Sequence, residues 1–295
     1  MRSLLLIAAA GISTGAAEPQ KLLTPTDIVN GSPASAWKTI SPDDLVVMDL
    51  ANGGHVIVQL APEFAPVHVA NIRALARAKY WQGATVYRVQ DNYVAQWGNN
   101  DSEKPWPKAV MAKPPAEYVR PLKGLSIKPL GSPDPYAPAA GFANGWPVTY
   151  SPKAGWANAV HCYGSVGVGR DLSPDTGTGG ELYAVIGHAT RQLDRNITVV
   201  GRVIDGIDKL SSLPRGTEAL GFYKDKSQYV PITRIQVASE IPASERPVYE
   251  YMDTQSPTFA SYLHLRANRH DQFYIQPLGG VDLCNVQVPV RKKAS

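Results

Sequence analysis

The sequence predicts a mainly β fold: a closed eight-stranded antiparallel β-barrel with helices capping its ends, an enlarged loop and a C-terminal extension. Three observations predict it. Short apolar runs bounded by turn residues recur along the chain, and their count is near eight. Only two segments suggest a helix, one early and one late. Proline and glycine, at 25 each in 295 residues, favour many short strands joined by turns over a helical bundle. A sheet of that size removes its exposed edges by closing on itself.

The elements follow in order. "LVVMDLANGGHVIVQL" (45–60) reads as two strands joined at Asn52-Gly53-Gly54, a strong hairpin signal. In "APEFAPVHVANIRALARAKYW" (61–81), Pro66 suits a first helical turn, and Val69, Ile72, Leu75 and Ala76 recur at helical spacing. "TVYRVQDNYVAQWGN" (85–99) gives two more strands, Thr85–Val89 and Tyr93–Trp97, around a tight Asp91-Asn92 turn. Strand patterns return at "YGSVGVG" (163–169), "ELYAVIG" (181–187) and "ITVVGRVI" (197–204). "DGIDKLSSL" (205–213) predicts a short helix, and "YVPITRIQVA" (229–238) a closing strand.

Residues 99–160 differ. They hold eleven of the 25 prolines and three of the six tryptophans, Trp106, Trp146 and Trp156, which is too aromatic for a disordered linker. They predict a long ordered excursion packed on the main domain, with the tryptophans as anchors. Residues 18–43 read as an N-terminal arm, residues 44–239 as the main domain, and residues 240–295 as an extension packed on it, "FYIQPL" (273–278) included.

The first residues, "MRSLLLIAAAGISTGAAEPQ", combine a basic start at Arg2 with an apolar run, Leu4 to Ile12, too short to span a bilayer. Gly15 and Ala17 are the small residues a signal peptidase reads, so residues 1–17 predict a leader cut after Ala17. No later segment approaches a membrane span, and an exported, soluble, monomeric product is expected in a periplasm. The net charge of +4 falls to +3 without the leader, which removes one arginine and no acid. That is too little to argue for nucleic acid. The two cysteines, Cys162 and Cys284, admit two readings in an oxidising compartment: a disulfide, or two separate buried thiols.

One residue stands out within its strand. Arg88 carries five donors and a permanent charge inside an apolar run. Taken alone, it reads as an outward-facing strand residue. Its neighbours change that reading, because four stretches in order resemble the cyclophilin family of peptidyl-prolyl isomerases. "GGHVIVQLAPEFAPVHVANIRAL" (53–75) is similar to the family's hairpin strand and first helix, and "VYRVQDNYVAQWGN" (86–99) to its "FHRV...F..QGGD" segment. "GSVGVGRD......TGTGGELYAVIG" stands where the family has "G.LSMAN.......GSQFFI", and "LDRNITVVGRVIDGID" resembles "LDG.H.VFG.V..G.D". The resemblance covers roughly residues 45–238.

The resemblance implies roles. Arg88 matches the catalytic arginine and Gln96 the glutamine that orients near it. Tyr93 and Val94 match the walls of the proline pocket, with Tyr183 as its second aromatic and Leu193 on the rim. Gly169 and Arg170 match the strand that meets the substrate peptide, and Glu181 stands at a further substrate-binding position. The activity implied is cis-trans isomerisation of proline-containing, flexible polypeptides, assisting the folding of exported proteins. It needs no cofactor and no metal.

The chain also departs from the family. Glu181 replaces a glutamine and Arg170 an asparagine. Gln192 stands where many members have tryptophan, Ile197 where many have histidine, and Trp97 sits beside Gln96. These changes predict weak cyclosporin binding and an ion pair of Glu181 with Arg88 or with Arg170. They also motivate an alternative: a protein-binding module with little isomerase activity, its groove plugged by Trp97 or by residues 99–160. Other chemistries lack support. The six histidines offer no metal spacing beyond a loose His264/His270 pair. "GTGG" (177–180) lacks the lysine of a phosphate loop. No serine or cysteine has a recognisable base partner.

Overall fold

The computed structural model describes residues 22–99 and 104–293; the expected leader and its cut after Ala17 lie outside them. Along the chain, α1 (Pro25–Asn30) and β1 (Trp37–Thr39) precede the hairpin of β2 (Leu45–Leu50) and β3 (His55–Leu60). Then come α2 (Pro66–Arg77), β4 (Thr85–Val89) and β5 (Val94–Gly98). The excursion contributes β6 (Arg120–Pro121), β7 (Ile127–Pro129), β8 (Ala139–Ala143), β9 (Trp146–Ser151) and β10 (Trp156–Ala159). The chain returns through β11 (Ser165–Val168), β12 (Leu182–Val185), β13 (Val199–Asp205), α3 (Ile207–Ser211) and β14 (Val230–Val237). It ends with β15 (Tyr249–Met252), α4 (Pro257–Ala267) and β16 (Val290–Lys292).

Eight strands close into an antiparallel barrel in the order β11-β12-β5-β4-β14-β2-β3-β13, β13 pairing back onto β11. The expected fold class is the observed one. Its side chains alternate as the pleat requires. Val46, Met48 and Leu50 of β2 point into the barrel with Trp97, Val166, Leu182 and Val200, while Leu45 and Val47 face out beneath Ile241 and Tyr249. The interior is filled: the space left among Val46, Ile72, Trp97, Val166 and Leu182 is about 20 Å³, room for no more than one water. A ligand must therefore bind on the outside of this barrel. Pro66 opens α2, whose Val69, Ile72 and Leu75 plug one end.

The lack of period in residues 99–160 has a structural cause. Strands β6 to β10 form a second sheet, ordered β6-β10-β9-β8-β7, and both faces of it are covered. Ala143, Trp146, Val148 and Ala159 pack on Phe64 and Val199 of the barrel domain. Ala140, Phe142 and Val160 pack on Phe259 and Leu263 of α4 and on Trp37. Strands buried on two sides show no polar–apolar alternation. Of the three tryptophans, Trp146 is buried, Trp156 half-buried, and Trp106 exposed while stacked on Tyr80 with centroids 5.0 Å apart.

Strands before and after the barrel join this layer. β1 pairs β15, which pairs β16, in a three-stranded antiparallel sheet, so the N-terminal arm and the C-terminal extension fold together. Cys162 and Cys284 are bonded, with Cα atoms 5.1 Å apart and 122 residues of separation, which ties the extension to the start of β11. One expectation is corrected. Residues 273–278 do not pack: Phe273, Ile275 and Leu278 are 81%, 72% and 86% exposed. Asp271 accepts from the Phe273 and Tyr274 amides and holds the segment as a surface turn. Leu283, Val286 and Val288 bury themselves in its place.

Among the described residues, no helix is long and apolar enough to cross a membrane and no His, Cys, Asp and Glu cluster could hold a metal ion.

Candidate active site

The site begins with a bulge. β4 pairs β5 as Val86↔Trp97 and then Arg88↔Gln96, a register shift that leaves Tyr87 without a cross-strand partner. Val86 and Val89 still point into the core, so Tyr87 and Arg88 turn to the outer face together. A bulge re-aims side chains in this way. On β5 and β12 the ordinary alternation applies. Ala95, Trp97, Leu182 and Ala184 face inward, and Val94, Tyr183 and Val185 form a separate outer cluster with half-buried Tyr93, Leu193 and Ile197. Trp97 therefore fills the barrel and does not plug the outer face, contrary to one expectation.

Arg88 is held on three sides. Its Nη1 donates to Gln96 Oε1 at 2.9 Å, its Nη2 to Gln90 Oε1 at 2.6 Å, and its Nε to the Leu220 carbonyl at 2.7 Å. The rings of Phe222 and Tyr93 flank the guanidinium carbon at 5.4 and 5.8 Å, within cation–π range. None of these partners belongs to residues 99–160. Burial lowers the Arg88 pKa, yet a guanidinium keeps its charge throughout the physiological range.

Gln96 is fixed at its other end. Its Nε2 donates to Tyr87 Oη at 2.6 Å, and Tyr87 Oη donates to Glu181 Oε2. Glu181 lies opposite Gly98, where a Cβ would fall 2.1 Å from the carboxylate and push this side chain aside. The expected ion pair of Glu181 with Arg88 or Arg170 does not form. Arg88 spends its donors as described, and Arg170 turns to the Asn196 and Asp171 carbonyls. Burial pushes the Glu181 carboxyl up to about 7 against hydrogen bonds from Tyr87 and Gln96 that lower it. Burial, and then the Glu181 charge, raise the Tyr87 hydroxyl.

Tyr183 rests on a second buried chain. Its hydroxyl lies 3.0 Å from His161 Nε2, and His161 Nδ1 lies 3.0 Å from Asp194 Oδ1. These partners assign the proton of the ring to Nδ1, so that Nε2 accepts from tyrosine. Asp194 Oδ2 accepts from Arg191 Nε at 2.5 Å, and Arg191 makes a bidentate pair with Asp134 at 2.9 and 3.0 Å. All four side chains are nearly inaccessible. A buried tyrosine needs a partner for its hydroxyl, and this chain supplies one. Asp134 belongs to the excursion, so that excursion braces the site from behind.

Gly169 donates its amide to the Glu181 carbonyl at 2.8 Å, and Leu193 lies on the rim. The structure thus brings Arg88, Gln96, Tyr93, Val94, Tyr183 and Leu193 onto one outer face, with Glu181 adjoining through Tyr87 and Gly169. Gln192 is exposed. Sequence reasoning missed Tyr87, Gln90, Phe222, the Leu220 carbonyl and the His161–Asp194 pair. Tyr87 adjoins Arg88 in sequence, but alternation assigns it to the opposite face until the bulge is known. Gln90 directly follows β4 and carried no signal of its own, and the others come from distant turns with no local pattern.

An arginine fixed beside an apolar, aromatic cluster on the outside of a closed barrel defines a class, and comparison supports it. The profile of the family described as "Cyclophilin type peptidyl-prolyl cis-trans isomerase/CLD" matches residues 45–237, and the chain belongs to this family of isomerases. It is 25% identical over 178 residues to a probable peptidyl-prolyl cis-trans isomerase of Brucella suis, covering 60% of this chain and 75% of that one. A counterpart from Brucella abortus is 24% identical over the same length and coverage. Among solved structures, the cyclophilin AquaCyp293 from Hirschia baltica superposes with a TM-score of 0.70 at 24% identity, covering 92% of this chain and 98% of that chain. That likeness reaches beyond the barrel to the added sheets.

Proposed function

We propose that this protein isomerises X–proline bonds in flexible polypeptides after export, with Arg88 as the catalytic residue and the Val94–Tyr183 cluster as the proline pocket. Rotation about such a bond must break amide resonance, a barrier of about 18–20 kcal/mol. In the twisted transition state the proline nitrogen regains its lone pair, and a fixed cation aimed at it binds that state better than either planar form. The observation that carries this reading is Arg88, oriented by Gln96 at 2.9 Å beside the Val94, Tyr183 and Val185 cluster with Tyr93, Leu193 and Ile197 around it. Three of the five guanidinium donors hold the group in place, leaving two for a substrate. The reading assigns the ring of proline to this apolar cluster, whose surface keeps away water that favours the planar amide.

Export is supported by the leader-like first 17 residues and by the Cys162–Cys284 bond, which suits an oxidising compartment. N-terminal sequencing of the protein recovered from the periplasm tests it, with Glu18 expected first.

The test of activity is isomerisation of an Ala-Pro tetrapeptide, with Arg88→Ala alongside. A loss of about tenfold or more, or ~1.4 kcal/mol of transition-state binding, is expected in the variant. No acceleration by the folded wild type overturns the catalytic reading.

A further inference from the structure

Three hydrogen bonds run in series from Glu181 to Arg88. Glu181 accepts from the Tyr87 hydroxyl, Tyr87 Oη accepts from Gln96 Nε2 at 2.6 Å, and Gln96 Oε1 accepts from Arg88 Nη1 at 2.9 Å. The direction of each bond follows from its neighbour. An ionised carboxylate can only accept, so it takes the Tyr87 proton and leaves the phenol oxygen as acceptor. That oxygen then takes the Gln96 N–H₂ end, and the amide oxygen is left facing Arg88. A glutamine has no intrinsic preference between its two orientations, and here it is set from both ends: Arg88 can only donate and takes the amide oxygen, while Glu181, two residues away along this chain of bonds, leaves the Tyr87 oxygen as the acceptor that holds the N–H₂ end.

We propose that Glu181 is a positioning residue that acts through Tyr87 to set the amide orientation of Gln96 and so the aim of Arg88, and that proton uptake by this carboxyl loosens the arginine and slows isomerisation. The inference rests on the isomerase reading above and extends it to regulation of the same site.

A protonated Glu181 becomes a donor and competes for the Tyr87 oxygen, the acceptor that Gln96 uses. It also loses the charge that made it the better acceptor of the Tyr87 hydroxyl. The carboxyl sits where this exchange falls in the physiological range, since burial raises it to about 7. The side chains acting on the carboxyl are Tyr87 on β4 and Gln96 on β5; Arg88 follows Tyr87 and bonds Gln96, Arg170 follows Gly169, whose amide donates to the Glu181 carbonyl, and Tyr183 lies two residues further along β12. Behind the 176–180 loop lies the His68–Glu117 pair, with Nδ1 and Oε2 2.6 Å apart. Neither arginine is bonded to Glu181. Tyr87 and Tyr183 are raised by burial and stay neutral here, so Glu181 is the group in this chain that changes charge near neutrality.

The experiment measures kcat and KM for an Ala-Pro tetrapeptide from about pH 6 to about pH 8 in wild type, Glu181→Gln and Tyr87→Phe. In wild type, kcat falls about three- to tenfold toward low pH, the weight of one lost hydrogen bond, with its midpoint near 7 and KM little changed. Glu181→Gln cannot titrate and flattens the profile. Tyr87→Phe keeps the ring that stacks on Phe222 but removes the hydroxyl of the series, leaving Gln96 as the one side chain still bonded to Glu181, and it gives a weakened pH dependence at reduced kcat. A flat wild-type profile, or an unshifted midpoint in Glu181→Gln, overturns the proposal. A second readout is independent of turnover: the side-chain amide ¹⁵N resonance of Gln96 is expected to titrate with Glu181 in wild type and not in Glu181→Gln. Absence of isomerase activity with that titration intact would overturn the functional reading and keep the coupling. Absence of the titration overturns the coupling itself.

Discussion

Arg88 and Gln96 face each other across the β4–β5 register, and the arginine donates to the glutamine oxygen at 2.9 Å. This contact depends on the bulge at Tyr87. Without it, strict alternation would send Tyr87 outward and Arg88 into a core whose residual space is about 20 Å³, where an unpaired charge is untenable. The bulge, and not the strand as such, makes the site.

The fork of Arg88 matters beyond its charge. Its three anchors, Gln96, Gln90 and the Leu220 carbonyl, use three different nitrogens, a geometry that an ammonium cannot copy. Arg88→Lys is expected to lose about tenfold in kcat/KM, ~1.4 kcal/mol, with thermal unfolding little changed. Activity within a factor of two of wild type would show that charge alone suffices.

The chain under Tyr183 should govern stability. Asp194→Ala removes the acceptor of both His161 and Arg191 in a buried setting and is expected to cost about 3–5 kcal/mol, as for a broken buried ion pair. Tyr183→Phe leaves His161 Nε2 unpaired and should cost about 1–3 kcal/mol. Urea unfolding of both checks this, and equal, negligible shifts would remove the chain from the stability account.

The disulfide closes a loop spanning 122 residues. On the chain-entropy account its removal by Cys284→Ser costs about 4–5 kcal/mol. Because the bond lies between the C-terminal extension and β11, the loss is expected in unfolding midpoint, with kcat/KM of the folded fraction unchanged. A fall in both would mean that the extension shapes the groove.

Glu181 should make the fold less stable as pH rises. Its carboxyl titrates at about 7 in the folded chain against an ordinary 4.5, so the folded state binds more protons between those values and stability falls through that window. The difference is about 3 kcal/mol. Glu181→Gln is therefore expected to raise the unfolding midpoint at pH above 7 and to change it little below the ordinary carboxylate range. Equal shifts at both ends would place the cause in packing rather than ionisation.

The barrel was legible because its signals are local. The Asn52-Gly53-Gly54 turn, the period-two runs and the Pro66 helix start each sit within a few residues. The same holds for Arg88, Gln96, Tyr93 and Val94, which fall in one 15-residue stretch. What stayed hidden depends on chain crossings: the two-faced sheet in residues 99–160, the pairing of β1 with β15, and the exposure of residues 273–278. Glu181 was visible as an acid in an unusual place, but its partner was not. The expected ion pair gave way to Tyr87 because the bulge brings a phenol nearer to it than either guanidinium.

By itself, then, the sequence determined the barrel and its order of strands along the chain, since these follow from periodicity and turn chemistry, while the residues proposed for the proline pocket came from its resemblance to the family. Only the tertiary structure decided which side chains share a face and which donor meets which acceptor. A single extra residue in β4 shifts the register and turns Tyr87 and Arg88 outward together, and residues more than 90 positions apart, such as Tyr87 and Glu181, meet only once the barrel has closed.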